Sequence, residues 1–123
     1  MSVKIIVAGG REVTDSSLVF DAIVEQVPQL TESFTDITIV SGMARGVDSL
    51  AVETASQLGY KIKTFPADWE KYGRSAGPIR NKQMAVYADA LIAVWDGKSR
   101  GTLNMINQMK KLKKPYIIVS YNT

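Results

Sequence analysis

The stretch ITIVSGMARGVDSLAVETASQLGYKIKTFPA, residues 37–67, decides the fold. It opens with ITIVSG from Ile37, an apolar β-branched run closed by glycine, which reads as a buried strand. Val47, Leu50, Ala51, Thr54, Ala55 and Leu58 then follow the i, i+3, i+4, i+7 spacing of one helix face. Gly59 stands where a left-handed C-cap belongs. YKIKTFPA alternates in character and predicts a further strand, less buried than the one before it. Strand, helix and strand in this order make one βαβ unit, and such units build parallel sheets.

The same alternation continues on both sides. KIIVAGG from Lys4 reads as a first buried strand ending in a glycine turn, and TDSS supplies N-cap chemistry for a helix with Val19, Ala22, Ile23, Val27 and Leu30 on one face. After the third strand come a long polar connection, DWEKYGRSAGP, and a helix through IRNKQMAVYA. DALIAVW is the fourth strand, GTLNMINQMKKLKK the last helix, with Met105, Met109 and Leu112 on its apolar stripe, and PYIIVS the fifth strand. Pro115 breaks the last helix. Lys110, Lys111, Lys113 and Lys114 fall in its final turns, where they favour the macrodipole on a solvated face. The expected fold is α/β, a Rossmann-like open parallel sheet of five strands with helices on both faces, and ligands in such sheets bind at the carboxyl ends of the strands.

Composition narrows the chemistry. With 123 residues, 46% of them hydrophobic and 22% charged, one compact domain spanning residues 1–123 is expected. No apolar run approaches the roughly 20 residues of a bilayer span, and the chain leads directly into a strand rather than a signal peptide, so the expected location is the cytoplasm, away from membranes. There is no cysteine and no histidine. That removes thiol chemistry, imidazole bases, His-based triads and Cys/His zinc sites. No cofactor and no dedicated metal cage are expected. The net charge of +3 suits an anionic ligand.

The loop DGKSRGT, Asp96 to Thr102, ends like a P-loop but has Ile92 where G-x-x-x-x-G-K-[ST] needs its first glycine. The dinucleotide fingerprint also fails, since the first strand runs into AGGREVTD and the second ends IVSG without a terminal carboxylate. What remains is a phosphate cradle in kind: Gly97, Gly101 and Thr102 at a strand-to-helix junction, with hydroxyls from Ser99 and Thr102. SGMARGVDS, Ser41 to Ser49, repeats the arrangement, with Gly42 and Gly46 bracketing Arg45. All five arginines (Arg11, Arg45, Arg74, Arg80, Arg100) fall in the loops or helix starts after strands one to four, a rim suited to phosphate or carboxylate.

Trp69 and Trp95 lie near that rim, either to stack on a nucleobase or to pack within the protein. Asp48, Asp68 and Asp96 are the candidate catalytic or ribose-binding carboxylates. Asp48 equally suits a helix dipole and Asp96 a turn. Asn81, beside Arg80, is a candidate amide contact to base or ribose, or an exposed helix residue.

GGRxxxD, SGMARGVDSLA, PADWEKYGRSAGPIRNKQM and DALIAVWDGKSRGT together resemble the YspA-like branch of the SLOG superfamily, Rossmann-like proteins that include the LOG phosphoribohydrolases and the DNA-processing protein of natural transformation. The resemblance runs from about residue 4 to residue 120. It implies a phage or bacterial protein with a nucleotide-derived ligand, and a homodimer; the residues expected to hold that ligand are Gly9, Gly10, Arg11, Ser41, Gly42, Arg45, Asp68, Trp69, Arg80, Asn81, Gly97, Ser99, Arg100, Gly101 and Thr102. Gly101 and Thr102 match the Gly-Thr of the LOG signature P-G-G-x-G-T-x-x-E, and Arg80 is similar to its upstream arginine. Met105 stands where that signature has glutamate. A sensor or sequestering protein is therefore expected. The alternatives are a hydrolase of an N-glycosidic or phosphoester bond, with Asp48, Asp68 or Asp96 in place of the glutamate, and a single-stranded nucleic-acid binder.

Overall fold

The computed structural model describes residues 3–32 and 36–121. Five strands, β1 (Val3–Gly9), β2 (Ile37–Ser41), β3 (Lys61–Thr64), β4 (Ala90–Trp95) and β5 (Tyr116–Ser120), form one sheet in the order β3-β2-β1-β4-β5. Every neighbouring pair is parallel. Five helices connect them: α1 (Ser16–Leu30), α2 (Val47–Leu58), a single turn α3 (Trp69–Tyr72), α4 (Ala76–Tyr87) and α5 (Arg100–Lys111).

The alternation within β1 sorts the core into two layers. Ile5 and Val7 face α1 and α2 and pack with Val19, Ile23, Ile39, Val47 and Ile92. Ile6 and Ala8 face α4 and α5 and pack with Val40, Met84, Leu91, Met105 and Met109. The central strands are covered on both faces, which is why β1 and β4 read as continuous apolar runs. Asp15 caps α1 by accepting from the N–H groups of Ser17 at 3.0 Å and Leu18 at 3.4 Å. Gly59 closes α2 at φ 75°, in the left-handed region glycine tolerates best.

Three expectations need correction. The connection after β3 is partly helical: it holds α3 and a 3-10 turn at Gly73–Ser75, and α4 begins at Ala76 rather than after Pro78. Pro78 lies in the first turn, where no helical hydrogen bond needs its missing N–H, so it does not end the segment. Leu112 caps α5 and is 43% exposed, off the buried stripe of Met105 and Met109. Lys114 is only partly exposed, and its charge is engaged by the protein. Its ammonium donates to the carbonyl oxygens of Ala85 (2.8 Å), Val86 (3.0 Å) and Ala88 (2.7 Å), closing the carboxyl end of α4. No helix among the described residues is long and apolar enough to cross a membrane.

Candidate ligand-binding cleft

Gly9 of β1 pairs with Val94 of β4, so the two central strands end side by side. From there the chain leaves β1 toward α1 on one face and β4 toward α5 on the other, which makes this the switch point of the sheet. A cleft of about 930 Å³ opens at that place, between the loop after β1 and the start of α5. Arg80 and Asn81 of α4, Asp48 of α2 and Tyr121 beyond β5 complete its walls.

Several of the glycines expected to cradle a ligand are packing glycines. A Cβ at Gly9 would collide with the Val94 carbonyl and the Val47 side chain, one at Gly10 with the Tyr121 hydroxyl, and one at Gly42 with the Arg80 guanidinium. Gly97 is the turn glycine of the β4–α5 loop, at φ 83°. Gly101 differs from all of these: it lines the cleft in the first turn of α5, and a Cβ there would meet nothing within 4 Å.

Arg80 and Asn81 form an internal brace. Arg80 is 8% exposed, donates through Nη1 to the Gly42 carbonyl and through Nε to Asn81 Oδ1 at 3.0 Å. Asn81 Nδ2 donates to the Gly101 carbonyl at 3.2 Å and to Asn104 Oδ1 at 3.0 Å. The chain of contacts ties the β2–α2 loop to α4 and α4 to α5. Asn81 is thus buried rather than an exposed helix residue; both side chains reach the cleft, Asn81 with its amide oxygen and nitrogen engaged and Arg80 with two of its five N–H donors used.

The three carboxylates part company. Asp48 is on the cleft wall and 5% exposed. Burial pushes its pKa up to about 6, against the opposing pull of the Arg80 charge, of backbone N–H groups near Ala44 and Gly9, and of Arg11. Asp96 accepts from the N–H of Ser99 (2.9 Å) and of Lys98 (2.8 Å), a turn that holds it below the usual carboxylate range. Asp68 is exposed, caps α3 by accepting from Lys71 N–H at 3.1 Å, and lies outside the cleft. Asp68, expected at the ligand, is therefore not among the residues that line this cleft.

Ser99 caps α5, its Oγ 3.5 Å from the Thr102 N–H it accepts and 3.1 Å from Thr102 Oγ1. Both residues line the cleft. Trp95 Nε1 donates to the Ser99 carbonyl at 3.0 Å and its side chain packs, partly buried, against the layer of Met84 and Met105, so this indole braces the loop. Ser41 is fully buried, its Oγ donating to the Asp48 carbonyl and accepting from Met43 N–H, both at 3.1 Å; it shapes the β2–α2 loop rather than the cleft surface. Arg11 lines the cleft. Arg45 pairs with Glu12 at 2.8 Å on the surface and lines an adjoining cavity with Trp69, while Arg74 and Arg100 line neither. The arginine rim is therefore split.

Tyr121 was missed from sequence. Its signal was position, since it directly follows β5 at the same carboxyl edge as the phosphate-type loops. Among the described residues no group of His, Cys, Asp or Glu is placed to hold a metal ion.

Fold and cleft together define a Rossmann-like switch-point protein. Residues 3–72 match the YspA, cpYpsA-related SLOG family, and the chain belongs to it. Gene 61 protein of Mycobacterium phage D29 is 32% identical over 120 residues, 93% of this chain and 94% of that protein. DNA processing protein A of Streptococcus pneumoniae superposes with a TM-score of 0.78 at 17% identity, over 98% of this chain and 51% of that one. The corresponding Helicobacter pylori protein, a single-stranded DNA binder, gives 0.67 at 19% identity, over 98% and 66%. The chain thus spans about half the length of the first of these DNA processing proteins, and the likeness to both is one of fold.

Proposed function

We propose that the protein binds a nucleotide or nucleotide-derived phosphorylated ligand in the switch-point cleft and acts as a sensor or sequestering protein. The observation that carries this reading is Gly101. Glycine in a helix costs about 0.5–1 kcal/mol relative to alanine. Here neither backbone conformation nor neighbouring atoms require it, because its φ is not positive and a Cβ would stand in open space. Gly101 lines the cleft at the amino end of α5, where the helix dipole and the Ser99 and Thr102 hydroxyls favour a phosphate.

Thermal-shift measurement against mononucleotides, dinucleotides, cyclic nucleotides and short oligonucleotides tests this. A ligand at 100 times its Kd adds roughly 2.7 kcal/mol to the folded state. Gly101→Ala should leave the free protein as stable as wild type, or up to about 1 kcal/mol more stable through helix propensity, and abolish the ligand-induced shift. A shift that survives Gly101→Ala would place the ligand elsewhere.

One observation favours a second reading, hydrolysis of such a ligand. Asp48 is a cleft carboxylate pushed up to about 6, the range of a general acid near neutrality. Met105, where the LOG signature has glutamate, is buried in the apolar layer beside Met84 and Met109 and offers no carboxylate in its place. Chromatography of a bound ligand after incubation separates the readings: time-dependent product lost in Asp48→Asn supports the enzyme, and unchanged ligand supports the sensor. The homodimer implied by the family resemblance would have an apolar edge to use, since β5 ends the sheet with Tyr116 and Ile118 exposed.

A further inference from the structure

Beside the main cleft lies a second cavity of about 560 Å³, and Arg11, Ala44 and Arg80 line both. Its own wall carries Met43, Arg45 and Trp69. Two features of that wall run against ordinary packing. Trp69 is 50% exposed although it is the largest apolar side chain in the region, with the Arg11 guanidinium 5.8 Å over its ring. Met43 is 47% exposed and sits at φ 62°, a left-handed conformation that strains a residue with a Cβ. Strain of this kind gathers where a ligand is clamped. The cavity thus combines an aromatic platform, a polarizable side chain and three guanidiniums, of which Arg45 is ion-paired with Glu12 and Arg80 is attracted to the Asp48 carboxylate.

The spacing is also informative. Trp69 rests against Gly77, where an added Cβ would lie 3.6 Å from the ring. Asn81, one turn further along α4 and about 6 Å higher on its axis, touches the Gly101 carbonyl. The platform and the amino end of α5 are therefore one helical turn and two side-chain contacts apart. A ligand confined to the main cleft leaves Trp69 uncovered, and a ligand that fills both cavities must pass its middle across Arg11 and Arg80. Arginine at such a neck suits phosphate, by its planar fork of donors.

We propose that the ligand is of the dinucleotide class: one nucleoside unit in the main cleft, a phosphate bridge between the amino end of α5 and the neck at Arg11 and Arg80, and the second base stacked on Trp69. The proposal rests on the nucleotide-binding reading above and adds the second subsite. Trp69 is the residue that distinguishes a two-base ligand from a mononucleotide.

The test is titration calorimetry with the mononucleotides AMP, GMP, CMP and UMP, the symmetric dinucleoside diphosphates of the same bases, and single-stranded oligo-dA and oligo-dT, on wild type, Trp69→Ala and Trp69→Phe. At least one dinucleoside diphosphate should bind about tenfold or more tightly than its mononucleotide, the scale of one base stacked on an aromatic ring. Trp69→Ala should remove that excess and leave the mononucleotide within about twofold of wild type. Trp69→Phe should retain the excess while losing the share of the dinucleotide-induced fluorescence quenching that Trp69 contributes, leaving that of Trp95. Because Trp69 is half exposed, both variants should melt as wild type does. Equal affinities for the one-base and two-base ligands, or equal weakening of both by Trp69→Ala, would overturn the second subsite and leave the nucleotide cleft standing. Tight, Trp69-dependent binding of the oligonucleotides alone would overturn it in favour of a single strand, and binding of no nucleotide would overturn both readings.

Discussion

Asp48 stands on the cleft wall with its carboxyl buried, and that burial makes the stability of the protein depend on pH. In the sequence it is an acidic residue in a helix's first turn, where the dipole alone explains it. In the structure it is 5% exposed and its pKa rises from 3.8 to about 6. A carboxyl that holds its proton more tightly when folded stabilises the protein fully below pH of about 4, and that contribution is lost as pH rises through about 6. Two pKa units correspond to about 3 kcal/mol at most, reduced to the extent that the Arg80 charge depends on Asp48. Asp48→Asn should therefore gain stability relative to wild type between pH 4.5 and pH 7.5, by about 1–3 kcal/mol in urea unfolding. A constant difference between the two proteins across that range would mean that Asp48 titrates as an ordinary surface carboxylate. Arg80 was read from sequence as a ligand contact because guanidinium is the usual phosphate fork. Which backbone carbonyl would lie opposite it depends on the approach of two elements 38 residues apart, and sequence spacing carries no trace of that.

Elements were far more legible than contacts. The 3.6-residue period picked out the buried positions of α1 and α2, Val19, Ala22, Ile23, Val27, Val47, Ala51, Thr54 and Ala55, because burying an apolar stripe is what holds those helices in place. The start of α4 was misplaced because Pro78 is a strong breaker everywhere except in a first turn. The end of α4 was illegible for a different reason. Beyond its C-cap residue Ala88, its last carbonyls are held by the ammonium of Lys114, which arrives from beyond α5 and satisfies three carbonyl oxygens with its three donors. Lys114→Met keeps most of the side-chain stem but removes the donors and the charge, leaving those carbonyls with water as their remaining partner. It should destabilise the protein by about 1–3 kcal/mol in urea unfolding. Lys111→Met, on the exposed end of α5, should stay within about 0.5 kcal/mol of wild type. Equal effects of the two substitutions would show that the Lys114 contacts add nothing to the stability of α4.

At the scale of the whole molecule, the strand order matters more than any single loop. The sequence announces five strands but not that β1 and β4 are neighbours, since that pairing closes across α1, β2, α2, β3 and α4. Once it forms, the loops after β1 and β4, which are more than 80 residues apart in the chain, become the two lips of one cleft. A ligand seated at the switch point must touch both lips. Loops of this kind open locally at a small fraction of the global free energy, and their amides exchange through those openings. If opening either lip requires the ligand to leave, a ligand at 100 times its Kd should slow exchange of amides in both segments, Gly10–Asp15 and Gly97–Thr102, by up to about 100-fold. Edge strand β3, whose residues Lys61–Thr64 are all exposed and lie outside both cavities, should exchange unchanged. Protection of the α5 segment without the β1 loop would reduce the site to a phosphate on one helix end. Protection of both, together, is the outcome expected of a ligand at the switch point, because the parallel pairing of β1 with β4 brings the two segments to the same carboxyl edge.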